Sequence, residues 1–185
     1  MSDFRFELTD EEKQYLKSLV VMAISSGLGI GDAPHTPPEP PTQKLREHLG
    51  AFVTLKLHNS LRGCIGNVYG TGELYRTVWD MALSAAFRDP RFPPLTEGEF
   101  HEVEYEISIL GPIEPCLDPA LVEVGRHGLI MRRGGRSGLL LPQVPVEWKW
   151  DRETFLAQTC AKAGLPRNAW KEPDTEIYWF EAEVF

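Results

Sequence analysis

Apolar residues recur at the spacing of a helix near the start of the chain. The residues that would share one side of this helix are Leu16, Leu19, Val20 and Ala23. Thr9 and Glu12 have the spacing of a capping box, in which each side chain accepts a hydrogen bond from the other residue's backbone N–H. Gly27 is suited to end the helix, because glycine readily adopts the left-handed conformation that closes many helices. The pattern therefore predicts a helix that begins after Thr9 and ends at Gly27.

From residue 51 the pattern alternates between apolar and polar positions, which is typical of strands. Residues 51–58 form the first predicted strand, His58-Asn59-Ser60 forms a turn, and residues 61–68 form the hairpin partner. Apolar residues return to helical spacing over residues 72–87. Residues 102–109 alternate again, with glutamates on the side that would face water. This half of the chain predicts a hairpin, a helix and a third strand, in that order.

The second half of the chain repeats this order. Residues 127–133 and 137–141 flank the turn Gly134-Gly135-Arg136, which predicts another hairpin. Asp151 is placed to cap a helix that would stop near Gly164, and residues 176–185 form a closing strand rich in aromatic side chains.

These elements together predict an α+β fold, with antiparallel sheets and flanking helices. We expect a single domain of residues 1–185 that contains two subdomain halves, at roughly residues 45–112 and 121–185. The two halves share an order of elements but no matching residue identities. The hairpin-helix-strand duplication is therefore a prediction of topology alone.

A proline-rich segment separates the first helix from the first hairpin. Within residues 31–42 the prolines are Pro34, Pro37, Pro38, Pro40 and Pro41. Proline at this density is incompatible with a helix or a central strand, so we predict an exposed, semi-rigid loop. Composition favours a mobile linker over a docking segment, and both interpretations stay open.

Composition and charge describe an acidic globular protein. The chain has 185 residues, and its 19 basic and 27 acidic residues give a net charge of −8. Such a chain repels nucleic-acid phosphates unless its basic residues cluster, so a nucleic-acid partner is not expected. No apolar run approaches the roughly 20 residues of a membrane-spanning helix, and we expect no membrane partner. The 3 cysteines are far apart and odd in number, which favours a reducing compartment, and we predict a cytoplasmic protein.

The segment from Leu61 to Asn67 has an unusual composition for a strand. Gly63 and Gly66 weaken a strand unless another backbone or a ligand must come close. Strand alternation would send Arg62 and Cys64 to the same face, where a guanidinium would favour the reactive thiolate. Cys64 is therefore a candidate nucleophile. The alternatives are that the segment contacts a ligand or partner, or that Cys64 is a buried structural cysteine.

A second marked segment, residues 88–95, directly follows the predicted helix of residues 72–87. Its prolines prevent the helix from continuing, and Arg88 would interact favourably with the helix C-terminus. In a structural interpretation, Asp89 pairs with an arginine to hold the loop. In a functional interpretation, Arg88 or Arg91 is presented to a carboxylate or phosphate. We predict that this loop lies beside the strand that carries Cys64.

Several common site motifs do not occur in the sequence. There is no dinucleotide-binding glycine motif, no phosphate-binding loop and no zinc-binding pattern, so we predict neither a cofactor nor a metal site. The carboxylates nearest to Cys64 in the sequence are Glu47 and Glu73, and both lie outside its strand. His58, His101 and His127 are not at a local motif spacing from Cys64 either. A complete catalytic set beside the thiol is therefore not evident.

The combination of these segments resembles the AMMECR family. The resemblance rests on Leu61-Arg62-Gly63-Cys64-Ile65-Gly66, residues 87–95, Leu140-Leu141-Pro142-Gln143 and residues 180–185. It extends from the first helix to the last residue, and its hexapeptide at residues 61–66 is a specific marker. The resemblance implies a two-subdomain α+β fold. It also implies association with a Memo-like protein and a radical S-adenosylmethionine protein.

The leading hypothesis is a component of such a three-protein modification system. Its cleft would be built from Arg62, Gly63, Cys64, Gly66, Asn67, Arg88, Asp89 and Arg91. This cleft would either use Cys64 in catalysis or bind a small or peptide ligand without covalent chemistry. We expect little turnover by the chain alone, because a local base is missing.

Other functions stay open at this point. One alternative is RNA or DNA binding by a basic face of Arg62, Arg88, Arg91, Arg126, Arg132, Arg133 and Arg136. Another is a purely scaffolding or regulatory role. A homodimer is also compatible with the sequence.

Overall fold

Two hairpins, each followed by a helix and a third strand, form the framework of the computed structural model, which describes residues 7–185. Its contacts divide the described chain into two units. The N-terminal unit comprises Glu7–Leu110 together with Glu183–Phe185, and the C-terminal unit comprises Gly111–Ala182. The α+β fold and the duplicated order of elements are confirmed.

The N-terminal unit contains a three-stranded antiparallel sheet with helices. Its elements are α1 (Asp10–Leu28), β1 (Gly50–Leu57), β2 (Ser60–Asn67), α2 (Leu74–Phe87), α3 (Glu97–Phe100) and β3 (Glu104–Leu110). β1 lies in the middle and pairs with β2 on one side and β3 on the other. A short 3-10 turn at Gln43–Arg46 precedes β1. The end of the chain also joins this sheet, because Phe185 and Ile107 exchange backbone hydrogen bonds.

The C-terminal unit repeats this arrangement with different residues. Its elements are β4 (Glu114–Pro115), β5 (His127–Arg133), β6 (Arg136–Leu140), α4 (Gln143–Glu147), α5 (Arg152–Lys162) and β7 (Glu176–Val184, up to Ala182 in this unit). β5 lies between β6 and β7, and β4 pairs with the other side of β7. Short 3-10 turns lie at Pro119–Leu121 and Ala169–Lys171. In both units, the first strand of the hairpin is the central one.

Helix α1 begins where the sequence predicts, ends one residue later than expected and is closed by a different glycine. The capping box between Thr9 and Glu12 is present. The helix continues past Gly27 to Leu28 and is closed by Gly29, whose φ is 71°. A Cβ at Gly27 would lie 2.3 Å from a ring carbon of Phe87. The prediction that Gly27 ends the helix is therefore wrong, because this glycine makes room for the end of α2 instead.

The proline-rich loop has no helix or strand between Leu28 and Gln43, as predicted. Side chains nevertheless attach it to α1. The Tyr15 hydroxyl donates a hydrogen bond of 2.5 Å to the Pro38 carbonyl, and the Thr42 hydroxyl donates one of 2.5 Å to Glu12. Glu39 of the loop pairs with Arg46. These contacts fit a semi-rigid loop better than a mobile linker.

A glycine in the second strand of each hairpin lets the following helix approach the sheet closely. A Cβ at Gly63 in β2 would lie 2.2 Å from the Ala85 carbonyl oxygen of α2. A Cβ at Gly138 in β6 would lie 2.3 Å from the backbone nitrogen of Ala163, the residue that closes α5. The duplication therefore extends from the order of elements to this packing contact.

Each unit has its own set of buried apolar side chains. The core of the N-terminal unit includes Leu16, Val53, Leu55, Val78 and Ile107. The core of the C-terminal unit includes Leu129, Met131, Phe155, Leu156 and Cys160. Within residues 7–185, no helix combines the length and the apolar character that crossing a bilayer requires.

The close contacts at Gly63 and Gly138 predict a cost for any side chain at these positions. We expect Gly63→Ala and Gly138→Ala each to lower the free energy of unfolding by about 1–3 kcal/mol, because a backbone neighbour would have to move. Gly98 is a matched control, since a Cβ there would meet no atom within 4 Å. Gly98→Ala should leave stability unchanged or slightly higher. Urea unfolding of the three variants checks this, and equal stabilities would contradict it.

Candidate functional site

Strand β2 lies at the edge of its sheet, and a loop from α2 covers that edge at Cys64. The backbone N–H of Cys64 donates to Asp89 Oδ2 at 2.9 Å. The Cys64 carbonyl accepts from Arg91 Nη2 at 3.1 Å. An exposed edge strand leaves such groups without strand partners. Here the Asp89 and Arg91 side chains bond to the backbone groups that a neighbouring strand would otherwise pair with. The predicted proximity of residues 88–95 to β2 is therefore confirmed.

Asp89 and Arg91 form a two-point ion pair behind this contact. Arg91 Nε donates to Asp89 Oδ1 at 2.9 Å, and Arg91 Nη2 donates to Asp89 Oδ2 at 2.7 Å. The backbone N–H of Arg91 also donates to Oδ1, at 3.1 Å. Asp89 is only 4% exposed. The Arg91 guanidinium holds the pKa of Asp89 well below its usual range, and the Cys64 N–H adds to this effect against the opposing effect of burial.

Arg62 occupies the extra position of a β-bulge. The pairing register shifts between Leu55, which faces Gly63, and Lys56, which faces Leu61, so Arg62 has no partner in β1. Its guanidinium donates to Glu99 at 2.8 and 3.1 Å and to the Pro93 carbonyl at 3.0 Å.

The ion pair with Glu99 holds the Arg62 guanidinium in an internal contact. Arg62 lowers the pKa of Glu99 to about 2, with help from the Thr96 backbone N–H. The expectation was that Arg62 would lie beside the Cys64 thiol. Instead, the guanidinium that contacts Cys64 belongs to Arg91, and its hydrogen bond goes to the backbone carbonyl.

The Cys64 side chain lies on the face of the sheet opposite the Gly63–Ala85 contact, because alternate residues of a strand point to opposite faces. Its cross-strand partner is Thr54, whose hydroxyl donates to Cys64 Sγ at 3.3 Å. Gly66 pairs with Phe52, and a Cβ at Gly66 would lie 2.2 Å from a carbon of the Phe52 ring. We call Phe52, Thr54, Cys64 and Gly66 the thiol surface. All of its members are partly exposed.

The thiol surface contains no acid–base partner for Cys64. Within residues 7–185, no histidine or carboxylate is hydrogen-bonded to Cys64 Sγ. His58 instead pairs with Glu102, at 3.0 Å, and His127 accepts from the backbone N–H of Glu123. The thiol is therefore presented by the strand, and none of the described residues bonds a base to it.

Arg88 and Asn67 differ from the other candidate residues because their side chains stay available. Arg88 closes α2 through its backbone N–H, and its exposed guanidinium bonds to no part of the described chain. Asn67 pairs with Ala51 at the end of β2, and in residues 7–185 its half-buried amide makes no hydrogen bond. Arg62, Asp89 and Arg91 are engaged in internal contacts, whereas Cys64, Asn67 and Arg88 are open to a ligand.

The arginines proposed for a basic face are largely paired with carboxylates. Arg62 pairs with Glu99, and Arg91 pairs with Asp89. In the C-terminal unit, Arg126 pairs with Glu123 and Glu181, and Arg133 pairs with Asp174. These pairs reduce the positive potential that a nucleic-acid surface requires.

The other two cysteines are not exposed, and a metal cluster is absent from the described part of the chain. Cys116 and Cys160 are buried free thiols, and burial raises the pKa of each. Across residues 7–185, no group of three or more histidine, cysteine, aspartate or glutamate side chains is arranged to hold a metal ion.

Comparison with known proteins identifies the family. The AMMECR1 family model matches residues 18–185. The chain belongs to the AMMECR1 family. A protein of the archaeon Methanopyrus kandleri is 47% identical and aligns over 97% of this chain and 90% of its own. A protein of Thermococcus onnurineus is 45% identical, over 97% of this chain and 92% of its own.

The fold of this AMMECR1 family member is also shared with a solved structure. The crystal structure of an uncharacterized protein from Pyrococcus horikoshii has a TM-score of 0.88 and 42% sequence identity. The alignment covers 97% of this chain and 93% of that protein. These similarities confirm the predicted family and fold.

The sequence analysis missed Thr54, Phe52 and Glu99. Thr54 and Phe52 were not detectable as cross-strand partners, because counting back from the turn at His58-Asn59 pairs Thr54 with Gly63, and only the bulge at Arg62 brings it opposite Cys64. Glu99 also has a local signal, since Thr96 and Glu99 form a capping box that begins α3. Its ion pair with Arg62 spans 37 positions of sequence, and no local pattern indicates such a contact.

The double role of Asp89 predicts a specific cost for its substitution. Asp89→Asn should lower the free energy of unfolding by about 2–3 kcal/mol. Four N–H donors now bond to the two oxygens of the Asp89 carboxylate, and an amide would offer them only one oxygen. Asp174→Asn is a matched control, because Asp174 also pairs with an arginine but is 68% exposed. It should cost less than about 1 kcal/mol. Chemical denaturation measures both, and a similar small cost for each would contradict the assigned role.

The lowered pKa values of Asp89 and Glu99 predict how stability depends on pH. Both carboxyls have a lower pKa in the folded chain than their ordinary values of 3.8 and 4.5. Their contribution is therefore complete above about pH 5 and is lost as pH falls toward about 2. The free energy of unfolding should decrease over that range, and less steeply in Asp89→Asn. Parallel pH profiles for the two proteins would contradict this.

Proposed function

We propose that this AMMECR1 family member binds a protein partner through the thiol surface and acts as a non-catalytic component of a protein modification system. A Memo-like protein and a radical S-adenosylmethionine protein would be the other components. The chemistry of modification would then be carried out by those proteins, and this chain would present or position a substrate segment.

The observation that carries this proposal is how Cys64 is held. Its backbone N–H and carbonyl are fixed by Asp89 and Arg91, while its side chain is left partly exposed, with the Thr54 hydroxyl as its one bonded partner within residues 7–185. The charged groups that could have served catalysis are engaged in holding the strand edge. A rigid strand that presents a thiol with no base bonded to it among the described residues supports recognition better than turnover.

The shape of the thiol surface supports a flat contact with another protein. Gly66 has no side chain, and Phe52 lies over it from the neighbouring strand. Aromatic side chains are enriched at protein contacts, and Phe52 is partly exposed. Arg88, the residue before Asp89, has an exposed guanidinium that bonds to no other described residue, and a partner that also covers the end of α2 would meet a charged group there.

Co-purification from the native host tests this proposal. A tagged wild-type chain should retain both the Memo-like and the radical S-adenosylmethionine protein. Cys64→Trp should lose them, because the larger side chain would fill the surface between Thr54 and Phe52. Leu139→Trp is a matched control, because Leu139 has the equivalent place in the C-terminal hairpin, one residue after the close-packed Gly138.

The outcomes of this experiment are distinct. Loss of both partners in Cys64→Trp, with retention in Leu139→Trp and similar melting temperatures, would support the docking role. Retention of both partners by a folded Cys64→Trp variant would overturn it. Failure of the wild-type chain to retain either protein would remove the proposed system as its context.

Thiol chemistry at Cys64 is the second candidate function. The partial exposure of the sulfur favours it, as does the Thr54 hydroxyl at 3.3 Å. Cys64→Ser preserves the size of the side chain and removes the nucleophile. Intact partner binding with lost pathway activity in this variant would favour chemistry, whereas retained activity would exclude it. Turnover by the purified chain alone would overturn the non-catalytic proposal.

A further inference from the structure

A surface pocket lies at the turn of the second hairpin, in the C-terminal unit. Its volume is about 380 Å³, and its lining includes Arg132, Arg133, Arg136, Asp174 and Glu176. This lining has three guanidinium groups and two carboxylates, and a smaller pocket beside it adds Glu172, so positive and negative charges balance over the two pockets. On a chain with a net charge of −8, such an arginine-rich region repels a small anion less than the acidic remainder of the surface does.

The pairing register places like charges opposite each other at this pocket. Arg133 of β5 faces Arg136 of β6 directly across the hairpin. Like charges in directly opposed strand positions are destabilising, because their side chains lie close together. The arrangement would be stabilised by an anion that binds between the two side chains.

The internal contacts of these arginines leave donors free for such an anion. Arg133 donates to Asp174 at 3.3 Å and to Thr175 at 3.5 Å, and both distances are long. Arg136 donates one hydrogen bond of 2.8 Å to the Gly164 carbonyl, and no carboxylate within residues 7–185 pairs with it. A guanidinium has five N–H donors, so each of these arginines retains unused ones.

A second, smaller pocket adjoins the first. Its volume is about 200 Å³, and it shares Arg133 and Asp174 with the larger one. Asn168 and Glu172 also line it. An amide and a carboxylate at this point would accept hydrogen bonds from hydroxyl groups of a bound molecule. The two pockets together accommodate an anionic group and an attached polar body.

We propose that this pair of pockets binds a small phosphate monoester with a hydroxyl-bearing organic part, such as a sugar phosphate. The phosphate would lie between Arg133 and Arg136, because the planar guanidinium fork matches phosphate oxygens. The hydroxyl-bearing part would lie toward Asn168 and Glu172. Asp174 and Glu176 would limit the site to one phosphate group, since a nucleic-acid backbone would bring further negative charge against them.

Calorimetric titration of the whole chain tests this proposal. The probes are ribose 5-phosphate, inorganic phosphate and ribose, each at an ionic strength held constant with chloride. We expect saturable binding of ribose 5-phosphate, weaker binding of inorganic phosphate and no binding of ribose. Arg133→Gln and Arg136→Gln should each weaken binding of ribose 5-phosphate by about tenfold, because each removes a charged hydrogen-bond donor to the phosphate.

Arg167→Gln is the matched control. Arg167 is exposed in the same unit, and its side chain makes no hydrogen bond or ion pair within residues 7–185. This variant has the same net charge as the others and should bind like the wild type. Melting temperatures confirm that all variants are folded.

Several results would overturn the proposal. They are the absence of saturable binding in the wild type, equal affinity in Arg136→Gln, or equal weakening in Arg167→Gln. A single-stranded oligonucleotide is the final probe. If it binds more tightly than ribose 5-phosphate and depends on Arg136, the site recognises a polyanion and the small-molecule proposal fails.

Discussion

The buried carboxylate of Asp89 is the interaction on which the candidate site depends. It closes the edge of β2 at Cys64, binds Arg91 and fixes the first turn of the loop that follows α2. A buried charge is tolerated only when it is paired and hydrogen-bonded, and Asp89 meets both conditions. Without this group, the Cys64 backbone would be an open strand edge, and the start of the loop would lose its attachment to β2.

The close approach of α2 to β2 makes this contact geometrically accessible. Because Gly63 has no side chain, the Ala85 carbonyl of α2 can pack against β2. The helix ends at Phe87, so Asp89 emerges beside the strand edge. The hexapeptide at residues 61–66 and the loop at residues 88–95 are distant in sequence but form one structural arrangement. Both segments form the contact between α2 and the edge of β2, which accounts for the glycine in one and the charged pair in the other.

Local patterns predicted the elements of the fold well and their tertiary contacts poorly. Alternation and the His58-Asn59 turn identified the first hairpin, because both signals reside in neighbouring residues. Gly27 was misinterpreted as a helix end, since its actual role depends on Phe87, a residue that folding brings near. Arg62 was expected beside the Cys64 thiol, because strict alternation cannot anticipate a bulge that adds one residue to the strand. The proximity of the two segments was predictable, but which side chain bonds to which backbone atom was not.

The two halves of the chain use one framework for different surfaces. Cys64 follows Gly63 and faces Thr54, whereas Leu139 follows Gly138 and faces Ile130. A polar thiol–hydroxyl pair in one hairpin thus corresponds to an apolar pair in the other. The two turns also carry different charged residues. His58 is paired with Glu102 in the first hairpin, while the second places Arg133 opposite Arg136.

These differences are informative because the packing requirement is the same in both hairpins. Each needs a glycine where the helix crosses, and neither needs a cysteine or an arginine pair for that purpose. Packing of the helix on the hairpin therefore does not explain why the cysteine and the arginine pair are present. By this reasoning, the thiol surface of the first hairpin and the arginine pair of the second are the positions at which we propose that the two halves acquired separate functions.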